Sequence, residues 1–220
     1  EALGEALTVV YGVASPERRA RLVRLAPLVA FGAPTLWPYI PDVPPYHNAT
    51  IWPFVTAFWT WAAAEAGNTA AVEHGLASLY RPAALFLTNK ENMVAATGHY
   101  EGTALNSDRQ LWSVAGTLAG TLRLLIGMRL EPEKAVFRPM VPPSYGGERV
   151  LRGLRYRQAI LDITVRGLGR EVLAAMLRDA GHEGDEGAHE GEEARQDDRD
   201  AAVADDELPR LELGNAAGGL

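Results

Sequence analysis

The chain has 220 residues, 47% of them hydrophobic, which is ample apolar content for one sizeable folded domain. Its formal charge of −7 averages two unlike parts: residues 182 to 220 hold 13 of the 28 acids and three of the 21 bases, leaving 15 acids against 18 bases in the body. A nearly neutral body lacks the clustered Lys and Arg that phosphate contacts require, so nucleic acid is not an expected partner.

Without cysteine there is neither a disulfide framework nor a thiolate metal site, and the compartment, cytoplasmic or extracytoplasmic, stays undecided. No uninterrupted apolar run approaches the roughly 20 residues that span a bilayer, so no membrane partner is expected. The first residues already carry Leu3, Ala6, Leu7, Val10 and Tyr11 at helical spacing. Ser15-Pro16-Glu17 then combines a capping hydroxyl, a proline at the first helical position and an acid in the first turn, predicting a helix to about Ala26. Six prolines between Pro27 and Pro45, mixed with Phe31, Trp37 and Tyr39, predict a long ordered loop.

Beyond it, Ile51, Trp52, Val55, Phe58, Trp59, Ala62 and Ala66 keep helical spacing up to the Gly67-Asn68 stop. Thr69 is the expected cap of the next helix, which carries Val72, Leu76, Leu79, Tyr80 and Ala83 on one stripe and is expected to kink or split at Pro82. Together they read as a helical hairpin. Leu111 to Met128 is so apolar, with Gly116 and Gly120 allowing close approach, that a helix buried between neighbours is expected. Past the Pro142-Pro143 pair the period changes: Leu161, Ile163 and Val165 alternate with Asp162, Thr164 and Arg166, the pattern of a half-buried strand. Val150 to Tyr156 and Glu171 to Leu177 are further strand candidates, and from His182 onward an acidic, Gly- and Ala-rich tail is expected to be disordered.

Polar and aromatic residues gather in two loops ahead of apolar helices. One is Tyr46-His47-Asn48-Ala49-Thr50-Ile51-Trp52-Pro53-Phe54; the other runs from Lys90-Glu91-Asn92 to Thr97-Gly98 and on to Gln110-Leu111-Trp112-Ser113. Their placement predicts one shared cleft. By residue type alone, Glu91 reads as a solvated acid at a helix end, and His47 and Asn48 as a half-buried histidine beside a helix cap. Asp108 either pairs with Arg109 or holds hydroxyl groups, whereas Glu101 faces solvent. Phe58, Trp59 and Trp61 read as packing; Trp52 and Trp112 are open to either packing or stacking on a sugar face. No His, Asp and Glu group has metal-ligand spacing, and His182 to Glu193 reads as solvated tail, so no metal or cofactor is expected.

Paired helices, polar loops between hairpins and a final β element resemble the C-terminal half of a six-hairpin, or (α/α)6-barrel, glycosidase. Glu91-Asn92, Thr97-Gly98, Gly102 and Trp112-Ser113 look like the E-N-x-x-x-x-T-G…G…W-[ST] element of the family of mannosylglycerate hydrolase and the processing α-glucosidase. Tyr46 to Pro53 is similar to that family's Y-W-R-G-x-x-W-P loop, with His47-Asn48-Ala49 in place of Trp-Arg-Gly. The chain is also similar to less characterised bacterial six-hairpin proteins carrying Y-H-N-x-x-I-W-P-F and A-L-N-S-D-R-Q-L-W-S, the latter matched from Ala104 to Ser113.

The resemblance implies a mainly α fold. Residues 1–134 would form part of an (α/α)6 toroid, 135–180 a small antiparallel β element and 181–220 the disordered acidic tail. It implies an inverting glycoside hydrolase with Glu91 as catalytic base, and His47, Asn48, Trp52, Asp108, Gln110 and Trp112 binding a carbohydrate substrate. A non-catalytic sugar-binding module and a helical scaffold for protein partners are the alternatives. In the resembled family the general acid is an aspartate upstream of the Tyr-Trp-Pro region, and Glu1, Glu5, Glu17 and Asp42, the acids before that region, do not match its motif. Six hairpins also need on the order of 300 residues. The chain is therefore expected to be a C-terminal portion that lacks the N-terminal half of the barrel and has little hydrolytic activity alone.

Overall fold

The computed structural model describes residues 1–132, 134–157, 159–179 and 211–213. The apolar spacing near the N-terminus becomes α1 (Ala2–Val10), which buries Ala6 and Val9. The Ser15 signal becomes α2 (Pro16–Leu25), with the Arg18 amide donating to Ser15 Oγ at 3.4 Å. After the proline-rich loop come β1 (Thr50–Ile51), α3 (Pro53–Glu65), α4 (Thr69–Phe86), β2 (Met93–Val94) and α5 (Leu111–Ala119), the last continued by a π-helical turn, Gly120–Leu125. The β structure follows as β3 (Met128–Leu130), β4 (Ala135–Phe137), β5 (Glu148–Tyr156), β6 (Ala159–Leu168) and β7 (Glu171–Asp179), with β8 (Leu211–Leu213) joining later. Among the described residues no helix is long and apolar enough to cross a membrane.

The central helix is α3, apolar on nearly every side: Val55, Thr56, Trp59, Thr60, Ala62, Ala63 and Ala64 are all buried. Its small residues let α1, α4 and α5 pack around it. At Gly75 of α4 an added Cβ would collide with the Thr60 side chain, so these two helices touch where α4 has no side chain at all. Leu76 and Val72, both fully buried, fill the adjoining space; burial of a side chain the size of Leu76 contributes about 1.5–3 kcal/mol.

Four local expectations are corrected. Asn68, not Thr69, caps α4, accepting the Ala71 amide at 3.0 Å, because the residue before the first helical turn has the extended backbone that aims its side chain at the free amides. Loss of this cap in Asn68→Ala is expected to lower stability by about 1 kcal/mol, measurable in urea unfolding. Of the kink or split expected at Pro82, the split is ruled out, since α4 runs through it to Phe86. The helix expected over 111–128 is shorter and covered on one side: Gly116 and Gly120 lie close to α3 and α4, but Leu111 is 81% and Leu118 54% exposed. The helix buried between neighbours is α3 instead. Finally, the strands of the C-terminal β part begin at Met128, ahead of the expected residue 135.

The period-2 stretch behaves as expected, with Leu161, Ile163 and Val165 buried and Arg166 exposed. Strands β5, β6 and β7 form an antiparallel sheet in that order, and β3, β4 and β8 form a second. Phe137, Ile126 and Ala135 cluster with the buried face of β6, so the two sheets share one small core. Within the acidic tail, Leu211–Leu213 pairs with β4 as β8; the rest, including the His182 to Glu193 run, lies outside the described residues.

Charged groups tie the β part to α3. Arg129 of β3 pairs with Glu65 at 2.5 Å, Trp61 Nε1 donates to the same carboxylate at 2.9 Å, and Arg170 donates to the Ala64 carbonyl. Burial pushes the Glu65 carboxyl up, but the Trp61 and Arg129 contacts outweigh it and hold it below the ordinary range. A carboxyl depressed in the folded state contributes stability that is present above its unfolded value and lost as pH falls through the folded one. The unfolding midpoint of Glu65→Gln is therefore expected to lie below that of the parent at pH 7 and to converge with it in acid.

Candidate functional site

Two loops meet on one side of the α3–α4 hairpin. Strands β1 and β2 clasp them through the antiparallel pairs Thr50 with Val94 and Ile51 with Met93, and the Ala95 and Ala104 amides donate to the carbonyls of Ala49 and Pro45 at 2.9 and 2.7 Å. The second loop is tied to α5: Ser113 Oγ donates to the Lys90 carbonyl at 2.8 Å, and the Gln110 amide to that of Asn89 at 2.9 Å. The two loops thus meet through this double clasp.

Glu91 sits in the loop between α4 and β2, not at a helix end, and is 4% exposed. Its reading as a solvated acid is overturned. A buried carboxylate is costly unless it is hydrogen-bonded or paired, and the Tyr46 hydroxyl donates to Glu91 Oε1 at 2.9 Å. Among the described residues Glu91 forms no ion pair. The neighbouring cation, Lys90, is committed elsewhere: its amine lies 2.5 Å from Asp108 Oδ1 and 3.7 Å from the centre of the Tyr100 ring. Asp108 therefore pairs with Lys90 rather than with Arg109, and does so across the loop that carries Glu91.

Beside Glu91 lies an aromatic group. The Tyr46 and His47 rings are 4.6 Å apart, His47 and Trp52 are 5.0 Å apart, and Trp112 stands 5.9 Å from Trp52 and 5.5 Å from Phe54. His47 is exposed and Trp112 is 43% exposed, so both present ring surface to solvent. Gln110 is half-buried at the start of α5, and its side-chain amide has no hydrogen bond among the described residues. These three residues can meet a ligand.

Asn48 and Trp52 stand differently. The Asn48 amide accepts from the Ile40 N–H at 2.8 Å and donates to the carbonyls of Ile40 and Val43 at 3.1 and 2.9 Å. It thus caps no helix; the residue preceding α3 is Trp52. Trp52 is buried, and its Nε1 donates to the Tyr46 carbonyl at 2.8 Å and to Thr50 Oγ1 at 3.1 Å. With their polar atoms consumed inside the loop, both shape the site rather than offer groups to a sugar, which revises the role expected of them. Trp59, as expected, is core; Trp61 stacks under Arg123 at 3.5 Å. Glu101 is exposed next to His99, as expected.

Tyr46 is the residue the sequence reading passed over. It stood inside the first motif, but nothing in spacing alone reveals which of the seven tyrosines reaches a carboxylate 45 positions away. No family model matches the sequence, and no curated protein matches it significantly.

Proposed function

We propose that the chain is the C-terminal part of an inverting glycoside hydrolase and that Glu91 is its general base. The observation that carries this reading is a buried carboxylate held on one oxygen by the Tyr46 phenol, whose ring adjoins the exposed His47 ring. An inverting reaction needs an ionised carboxylate to take a proton from water as the water oxygen bonds to the anomeric carbon, while the bond to the leaving oxygen breaks and an acid about 6.5–9.5 Å from the base protonates that oxygen. Glu91 takes the first role. Trp112 and His47 offer apolar ring surface to the sugar, and Gln110 and Asp108 offer hydrogen bonds to its hydroxyls.

The acid is assigned to chain outside the described residues, since of the loop acids Asp108 is paired with Lys90 and Glu101 is exposed to solvent. The helical hairpin flanked by α1 and α5 is read as an arc of an (α/α)6 toroid. The apolar residues left on the open face of α5, Leu111 and Leu118, support this reading, because a neighbouring hairpin would cover them. Proton NMR of hydrolysis products from the longer reading frame that contains this chain is the direct test. Inverted anomeric configuration is the expected result, and retention would sink the proposal. The pairing of Asp108 with Lys90 also favours a second reading, a sugar-binding module without turnover; calorimetric binding of oligosaccharides with no hydrolysis would select it.

A further inference from the structure

We infer that Tyr46 is the positioning residue of the Glu91 carboxylate: its hydroxyl fixes Oε1 and leaves Oε2 as the oxygen that takes the proton from water. The inference rests on the proposed base role of Glu91 and deepens it. A carboxylate with two equivalent oxygens and a free terminal torsion samples many orientations, whereas a donor on one oxygen selects one.

The loop is built to hold that donor. The Tyr46 carbonyl accepts from both Thr50 Oγ1 and Trp52 Nε1, the Tyr46 amide donates to the Asn48 carbonyl at 3.2 Å, and the Asn48 side chain closes the turn onto Ile40 and Val43. Ala49 adopts a left-handed backbone at φ 54°, a conformation a non-glycine residue holds only when its surroundings enforce it. The Thr50 and Trp52 side chains thus converge on the main chain of one tyrosine, whose long-range side-chain hydrogen bond among the described residues is to Glu91.

Around the pair, the charged and titratable groups are His47 against the Tyr46 ring on its own loop, and Lys90 and Asp108, bound to each other, on the loop of Glu91. The phenol of Tyr46 is raised above its ordinary range, first by its hydrogen bond to Glu91 and then by burial and the charge of the same carboxylate.

The test has two arms. In the chain itself, with tyrosine labelled at the ζ carbon, NMR titration of Tyr46 is compared between the parent and Glu91→Gln, and the signal is assigned by its loss in Tyr46→Phe. The expected result is a fall of the Tyr46 midpoint toward the ordinary tyrosine range in Glu91→Gln; an unchanged midpoint overturns the inference whatever the activity. In the active longer protein, Tyr46→Phe is expected to lower kcat by about tenfold or more with KM little changed, since the phenol touches the base and not the sugar. Parent-like kcat in Tyr46→Phe beside an inactive Glu91→Gln overturns the positioning role and leaves the base assignment standing. Full activity in Glu91→Gln overturns both.

Discussion

On the proposed base role of Glu91, Glu91→Gln is expected to reduce kcat by about 10²–10⁴-fold while leaving the fold intact. The magnitude is that of a positioned general base. The substitution is isosteric, and the amide oxygen still accepts from Tyr46, which sits 2.9 Å from Oε1. The buried site therefore loses its proton acceptor without losing its hydrogen bond, and circular dichroism and the unfolding midpoint should stay close to the parent. A replacement of similar shape separates chemistry from packing, which Glu91→Ala would not, since it would leave the phenol without an acceptor in a site where Glu91 is 4% exposed. Retained turnover in Glu91→Gln would remove Glu91 from the reaction.

Gly127→Ala is expected to give the largest loss of stability, about 2–4 kcal/mol. Gly127 joins the π-helical turn to β3 at φ 80°, and a Cβ there would collide with the backbone of Arg138 and Pro139. That backbone cannot withdraw, because the Arg138 amide donates to the Gly127 carbonyl at 2.8 Å and Phe137 beside it is locked in the sheet core. Gly147→Ala supplies the control. Gly147 has φ 93° but no atom within 4 Å of the added carbon, so only the conformational cost of about 1 kcal/mol remains. Thermal unfolding of the two variants should differ by several degrees; equal midpoints would show that the Gly127 contact relaxes at little cost.

Elements whose burial is one-sided and periodic were legible in the sequence. Ser15-Pro16 opens α2, and the alternation of Leu161, Ile163 and Val165 places β6 with its apolar side inward. What local pattern does not encode is which neighbours are present. The stretch after Leu111 is as apolar as a core helix, yet Leu111 and Leu118 are exposed, because nothing among the described residues packs on that side of α5. The three residues of β8 escaped notice for a related reason: so short a strand exists only through its partner β4, far away in sequence.

The site divides in the same way. That two loops would meet followed from their shared composition and their positions ahead of helices. The duties of Asn48, Trp52 and Tyr46 did not follow, because each is set by a main-chain atom brought close by a turn: Ile40 and Val43 for Asn48, the Tyr46 carbonyl for Trp52. Asparagine and tryptophan are as common in sugar sites as in loop scaffolds, so residue type alone does not distinguish the two uses.

The way the side chains of residues 48–52 are tied to the main chain of residues 40–46 bears on how the site can diverge. Thr50, Trp52 and Asn48 cannot be exchanged singly without orphaning a buried donor or acceptor, whereas the side chains of His47, Gln110 and Trp112 make no hydrogen bond to the loop among the described residues. The rim can therefore drift among residue types while residues 46–52 keep the Tyr46 phenol in register with the Glu91 carboxylate of the other loop.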